Sequence, residues 1–238
     1  MSNWLIPPRI DAPELLDAGL GHPADVRKSY QDLWRVNTWL GGVWSITRHL
    51  YPRLRATDGP VSVLDVGAGA ADVAAVVSRW AAAQQREVTV IPLDVSTWSL
   101  DLARQADKRL VPLQADALRL PFAPGSVDYV MSSLFLHHLP PAVVTQLLRA
   151  CWQVARRGVL MSDLQRGRVN EWAWHATLPF FARSHITYHD GLASIKRAYR
   201  PIEFSQMAHT AEMKNVKLDA PLPWRMTLIA DKEPYTDV

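Results

Sequence analysis

The segment Val61 to Asp72, VSVLDVGAGAAD, confines this chain to a narrow set of folds. A run of β-branched and aliphatic residues ends in an aspartate, then in closely spaced glycines, then in the helix-forming string VAAVVSRWAAA. That order predicts a buried parallel strand, a tight turn and a helix N-terminus, the opening unit of a doubly wound α/β sheet. Gly67 and Gly69 let the backbone bend and approach a ligand that a Cβ would push away. A dinucleotide fingerprint would put its third glycine at position 72, where Asp72 stands instead. A carboxylate at that helix N-terminus opposes a pyrophosphate electrostatically. Asp65, two residues before the first glycine, suits a cationic or amine-bearing ligand.

Further strand–helix steps follow. Val88 to Leu93 (VTVIPL) is a second apolar strand ending in Asp94, about 25 residues beyond the glycines and placed to accept from two ribose hydroxyls. The short strand LVPL precedes Gln114-Ala115-Asp116-Ala117, and Ser126 to Ser133 (SVDYVMSS) is a fourth strand. Gly158 to Met161 is a fifth, after the amphipathic helix VVTQLLRACWQVA. The pattern D-x-G-x-G-x-A resembles the first motif of class I S-adenosylmethionine-dependent methyltransferases. Ala71 stands where most of that family has a third glycine, a change expected to cost little. The resemblance implies S-adenosylmethionine as cofactor, with Asp116 accepting from the adenine amino group. The expected cofactor-binding set is Asp65, Gly67, Ala68 and Gly69 at the turn, Asp94 and Val95 at the second strand tip, Asp116 and Ala117 after the third, and Ser132 and Ser133 at the fourth.

At 238 residues and 48% hydrophobic, the chain suits one α/β domain with a sizeable core. The expected fold is a Rossmann-like seven-stranded methyltransferase sheet. It divides into a helical N-terminal cap (1–57), a cofactor-binding core (58–163), a substrate cap (164–213) and two antiparallel edge strands (214–232). No apolar run reaches the roughly 20 residues that span a bilayer. The start MSNWLIPPRID lacks a basic n-region and an apolar core, so a cytoplasmic location is expected. The single cysteine, Cys151, reads as a small core residue in a reducing compartment. A net charge of +3 without a basic run argues against nucleic acid as partner.

The two additions should choose the acceptor. Val26, Tyr30, Leu33, Asn37 and Leu40 recur at four-three spacing, so Asn37 interrupts an apolar helix face. The 164–213 addition is rich in aromatics and histidines, and two such caps would enclose an apolar pocket. The loop SSLFLHHLPP lacks the Asn/Asp-Pro-Pro-aromatic box of amine methylation and the Pro-Cys nucleophile of cytosine methylation. It also lacks the carboxylates of magnesium-dependent catechol methylation, so no metal is expected. His137 and His138 resemble the double histidine of small-molecule methyltransferases, including ubiquinone/menaquinone-type enzymes. A histidine near its unperturbed pKa of about 6.5 can take a phenolic or enolic proton. His185 and His189, four apart, are too few ligands for a metal.

Ser162-Asp163-Leu164-Gln165-Arg166, then His189-Asp190-Gly191, Ser194, Arg197-Ala198-Tyr199 and Pro201, resemble a bacterial methyltransferase group often encoded beside type III polyketide synthases. The opening PELLDAGLG…DLWRVNTWLGG extends that resemblance over most of the chain. It implies methylation of resorcinol- or pyrone-like products, or of quinones. The expected substrate contacts are Asn37, Asp163, Arg166, Trp172, His185 and Arg197. His189 joins His137 and His138 as a candidate base, with Asp190 expected to cap the helix GLASIKRAY. The expected reaction is O-methylation of a phenol or enol on a small aromatic, polyketide-like or quinone-like acceptor. C-methylation of a ring, or a catalytically inactive cofactor-binding partner subunit, are the alternatives. Expected partners are that small molecule and, at most, a second copy of the chain.

Overall fold

The computed structural model describes residues 6–16 and 22–234, so part of the PELLDAGLG opening lies outside the described residues. Seven strands form one sheet in the order β3-β2-β1-β4-β5-β7-β6. Strands β1 (Val61–Val66), β2 (Val88–Asp94), β3 (Leu113–Gln114), β4 (Val127–Ser133) and β5 (Ala155–Leu164) run parallel. β7 (Arg225–Asp231) enters antiparallel between β5 and the edge strand β6 (Val216–Leu222). β1 and β4 are buried along nearly their whole length, as parallel strands with helices on both faces must be. The chain leaves β1 toward β2 and returns on the other side at β4, and ligands bind where strand order reverses in this way.

On one face, α2 (Gly42–Ala56), α3 (Asp72–Ala83) and α4 (Thr97–Ala106) cover the sheet, with Ile46, Leu50 and Val77 packed on Val63 and Leu160. On the other, α5 (Pro141–Val154) and α8 (Pro201–Thr210) bring Leu147, Phe204 and the fully buried Cys151 onto Val159 and Leu228. Part of each expected cap therefore belongs to the core: α2 and α8 carry apolar faces broad enough to close the sheet. The lid is made by α1 (Pro23–Trp39), α6 (Arg168–Phe181) and α7 (His185–Arg197), joined through Val36, Trp174, Leu178 and Ile195. Asp32, fully buried on α1, accepts from Arg183 N, Ser184 N and Thr187 Oγ1 at 2.7–3.1 Å and locks α1 to the start of α7.

Three local expectations change. The third strand is only Leu113–Gln114, while the fifth extends to Ala155–Leu164. Asp190 lies inside α7 and is not its N-cap; Ser184 caps that helix, its side chain accepting from Ile186 N. Gly191 survives inside the helix because a Cβ there would lie 2.1 Å from the Trp174 ring. No helix among the described residues is long and apolar enough to cross a membrane.

Candidate functional site

The glycine turn is built as the sequence requires. Gly67 and Gly69 sit at φ +66° and +53°, and the N–H groups of Gly67 and Ala68 donate to Leu93 O. A Cβ on Gly67 would strike the Phe135 ring at 2.3 Å, whereas one on Gly69 would meet nothing within 4 Å. Gly67 is thus fixed by packing, and Gly69 leaves room above the turn. Ala71 also lies at φ +60°, a left-handed conformation costing an alanine about 1–2 kcal/mol. The departure from the third glycine is therefore strained, contrary to expectation.

Carboxylates crowd this turn. Asp94 accepts from Gly69 N (2.8 Å) through Oδ2 and from Ser96 N (2.9 Å) through Oδ1, so each oxygen keeps a further lone pair. Asp65 is 2% exposed, and burial, then the charges of Asp94 and Asp72, push its carboxyl up to about 8. Burial raises Asp72, at the start of α3, to about 6. Such a cluster is uncomfortable on its own and favours a ligand that brings positive charge.

A cavity of about 590 Å³ opens from this turn and runs beneath the lid. Asp65, Gly69 and Asp94 line it together with Glu14, His137 and His138. Its remaining walls are largely apolar, from Leu33, Val36, Leu164 and Trp174 among others. The volume is that of a site holding a drug-sized ligand.

His137 and His138 lie in a single 3₁₀ turn after β4, Leu136–His138. Asp163, at the end of β5, holds His137 twice: Oδ2 accepts from the backbone N (2.9 Å) and Oδ1 meets Nδ1 (2.7 Å). On the opposite edge, His137 Nε2 lies 3.6 Å from Glu14 Oε1, and His138 Nδ1 lies 3.9 Å from the same oxygen. Burial alone would lower the His137 pKa. The charge and hydrogen bond of Asp163, then those of Glu14, outweigh it and raise it to about 9. His137 is therefore an imidazolium at neutral pH, not the neutral base its position in the loop suggested. The two histidine rings lie 4.2 Å apart between centroids, tilted by 34°.

Glu14 was not among the expected site residues, because it reaches the cavity on an irregular N-terminal segment with no periodicity to announce it. Its anchors are the residues of the HDG pattern. Asp190 accepts from Leu15 N (2.8 Å) and Leu16 N (3.1 Å), and Ser194 Oγ donates to Glu14 Oε1 (2.8 Å). Arg197 donates to His138 O (2.7 Å), and Arg9 to His137 O (2.9 Å) and Leu139 O (3.2 Å). The motif that suggested substrate contact instead holds Glu14 and the histidine loop in register.

Several expected site residues fall elsewhere. His189 is exposed, its Nδ1 paired with Asp190 Oδ1 at 2.9 Å, and it does not line the cavity. A base must reach the reacting proton, and His189 stands away from the cavity that His137 and His138 line. His185 and Trp172 are also exposed and outside the cavity. Arg166 is pinned to Pro7 O, Ala198 O and Glu203, and Asp163 is consumed by His137. Ser132 is fully buried and donates to Val66 O. Ser133 and Asn37 do line the cavity, and Ser133 Oγ and Asn37 Oδ1 are buried without a hydrogen-bond partner. Val95 lines it too. Asp116 is exposed beyond β3, with Oδ1 accepting from Leu118 N, and Ala117 packs in the core. Arg225, on β7, also lines the cavity; no sequence pattern singled it out.

Residues 63–158 match the family model described as a methyltransferase domain. The chain thus carries a methyltransferase domain with S-adenosylmethionine as its cofactor, in keeping with its sheet order and glycine turn. A comparison with curated proteins gives no match. Among solved structures, the plantazolicin methyltransferase BpumL, in complex with a triazolic desmethyl analogue and S-adenosylhomocysteine, superimposes with a TM-score of 0.64 at 14% identity, over 89% of this chain and 92% of that one. The plantazolicin methyltransferase BamL gives 0.63 at 14% identity, over 89% and 92%. A protein described as an O-methyltransferase from Nostoc punctiforme gives 0.57 at 16% identity, and this chain covers 60% of its length while 84% of this chain is matched. At these identities the likeness is one of fold.

Proposed function

We propose that the chain transfers a methyl group from S-adenosylmethionine to an oxygen of a small aromatic or polyketide-like acceptor. One observation carries this reading: the carboxylate-lined glycine turn and the Glu14–His137–His138 cluster open into the same cavity. The turn fits the cofactor, since burial raises the pKa of Asp65 and Asp72, a ligand cation would offset that cost, and the space over Gly69 is open. Asp94 would accept from the ribose through its spare lone pairs. Asp116 and Ala117 would meet the adenine, because β3 pairs beside the tip of β2. When bound, the cofactor supplies an electrophilic methyl on a sulfonium.

The chain's own residues then have divided tasks. The walls exclude water and hold the acceptor oxygen in line, an arrangement worth about 7–11 kcal/mol of the barrier. His137, ionised between the Asp163 and Glu14 carboxylates, fixes the turn that carries His138 at the cavity wall. His138, beside it on the cavity wall, takes the proton that the acceptor releases. Asp163 and Arg197 act through the histidines as positioning residues.

Turnover with methyl-labelled S-adenosylmethionine and a panel of phenols, resorcinols and hydroxypyrones tests this, with the methylated atom located by NMR of the product. Label on an acceptor oxygen is the expected result. Label on carbon, or none with any acceptor while S-adenosylhomocysteine binds, would overturn the O-methylation reading.

A further inference from the structure

Arg225 has no counterpart in the chemistry described so far. It projects from β7 into the cavity wall, is 1% exposed and ranks first among the large fully buried side chains. Of its five donors, those on Nε and Nη1 find no hydrogen-bond partner. The nearest candidate is Asp163, which acts on it through space. That carboxylate is engaged elsewhere and makes no hydrogen bond to Arg225: Oδ1 serves His137 Nδ1 and Leu164 N, and Oδ2 serves His137 N. A buried guanidinium with two of its three nitrogens unpartnered is costly to a fold, and burial lowers its pKa to about 10. Nothing in the packing of the sheet returns that cost.

A second unpartnered group stands beside it. Asn37 Oδ1 is buried without a partner and lines the same cavity. A Cβ on Gly42 would lie 1.7 Å from Asn37 Oδ1 and 3.0 Å from Arg225 Nη2, so both groups close over one glycine. The Gly41-Gly42 junction between α1 and α2 thus does more than end a helix. It lets a donor fork and an acceptor oxygen share one corner of an otherwise mostly apolar cavity.

We propose that this corner is an oxyanion subsite, in which Arg225 binds a delocalised anionic oxygen group of the acceptor and Asn37 receives a neighbouring hydroxyl. The chain then selects acidic acceptors, hydroxyarenecarboxylates or ionised hydroxypyrones, over neutral phenols. A planar guanidinium binds such a group through two parallel hydrogen bonds, and in an apolar cavity those bonds are strong. This proposal rests on the methyl-transfer reading only in taking the ligand to be the acceptor.

Calorimetry on the whole chain in the presence of S-adenosylhomocysteine tests it, with 2,4-dihydroxybenzoate, 4-hydroxy-6-methyl-2-pyrone and resorcinol as probes. At least one of the two anions should bind tenfold or more tightly than resorcinol, and which one does names the oxyanion. Equal affinities for all three overturn the proposal. In Arg225→Met the preference should vanish, and in Arg225→Lys it should return in part; a preference retained by the Met variant overturns the assignment to Arg225. The Met variant should melt at or above the wild-type temperature, because an unpaired buried charge is gone. A large fall would show that the fold itself uses the guanidinium and would equally overturn the proposal. Absence of S-adenosylhomocysteine binding to the wild type would sink the methyltransferase reading instead, so the two failures are distinct.

Discussion

Cofactor affinity should depend on pH in a way set by one buried carboxyl. Asp65 titrates near 8 in the free protein because it is buried and faces Asp94 and Asp72. A raised acid pKa means that the folded chain holds this proton where the unfolded chain, with a carboxyl near 3.9, has lost it. Its contribution to stability is therefore present below about pH 4 and falls away as pH rises toward 8. A cofactor that carries an ammonium and a sulfonium reverses the preference, since it favours the ionised carboxylate. If binding requires ionised Asp65, the apparent dissociation constant scales as one plus ten to the power of pKa minus pH. It should drop by about 50-fold between pH 6 and pH 8 and flatten above. Near pH 7 about 0.9 proton per site should be released on binding. Isothermal titration of S-adenosylmethionine in buffers of different ionisation enthalpy measures both quantities. Asp65→Asn should bind more weakly at pH 8 and lose most of the dependence, leaving the smaller change due to Asp72 at the acidic end. A dissociation constant that varies less than threefold across this range in the wild type, with no proton released, would refute the reasoning.

His137 carries the opposite kind of charge but the same sign of linkage. Its pKa is raised to about 9, so its stabilising contribution is full below about pH 6.5 and is lost as pH rises through 9. It is worth at most about 3 kcal/mol, and Asp163→Asn should flatten the decline of melting temperature between pH 7 and 9. His138→Ala should lower kcat by two orders of magnitude or more with S-adenosylhomocysteine affinity nearly intact, as steady-state kinetics and calorimetry will show. The ligand atoms of Glu14, His137 and His138 lie within 4.8 Å of one another, yet the protonated Nε2 of His137 faces Glu14 at 3.6 Å and is no metal ligand; turnover should survive EDTA. Activity lost on chelation and restored by a divalent ion would put a metal where that proton sits. Gly191→Ala should destabilise the chain by about 1–3 kcal/mol in thermal melts, because the new methyl meets the Trp174 ring.

The cofactor half of the site was readable because it is written in consecutive residues. The β1 strand, the glycines and Asp94 lie at strand tips, where periodicity and turn chemistry fix position, and the sheet followed from them. The acceptor half is assembled from segments far apart in the chain, and sequence patterns found Asn37, His137 and His138 but missed Glu14 and Arg225. Asp190 reads as a helix cap in isolation, but Ser184 starts the helix earlier and frees Asp190 to hold the Glu14 segment. His189, beside it, then turns outward while His137 turns in. His137 itself was legible as a site residue, but its charge was not, because Asp163 and Glu14 lie 26 and 123 positions away in the chain. Arg225 offers no signal at all at the start of the apolar strand β7; only its burial in the cavity wall with unpartnered nitrogens exposes it.

The central claim is that cofactor and acceptor share one cavity, with the glycine turn at one end and the histidine cluster at the other. A crystal structure of the chain with S-adenosylhomocysteine and an acidic phenolic acceptor tests it most directly. The account predicts the ribose on Asp94 and the amino group toward the Asp65 carboxylate. It also predicts an acceptor oxygen, near His137 and His138, about 3–3.5 Å from where the transferred methyl would stand. Cofactor bound away from Asp94, or an acceptor lodged outside the cavity beneath α1, α6 and α7, would contradict it.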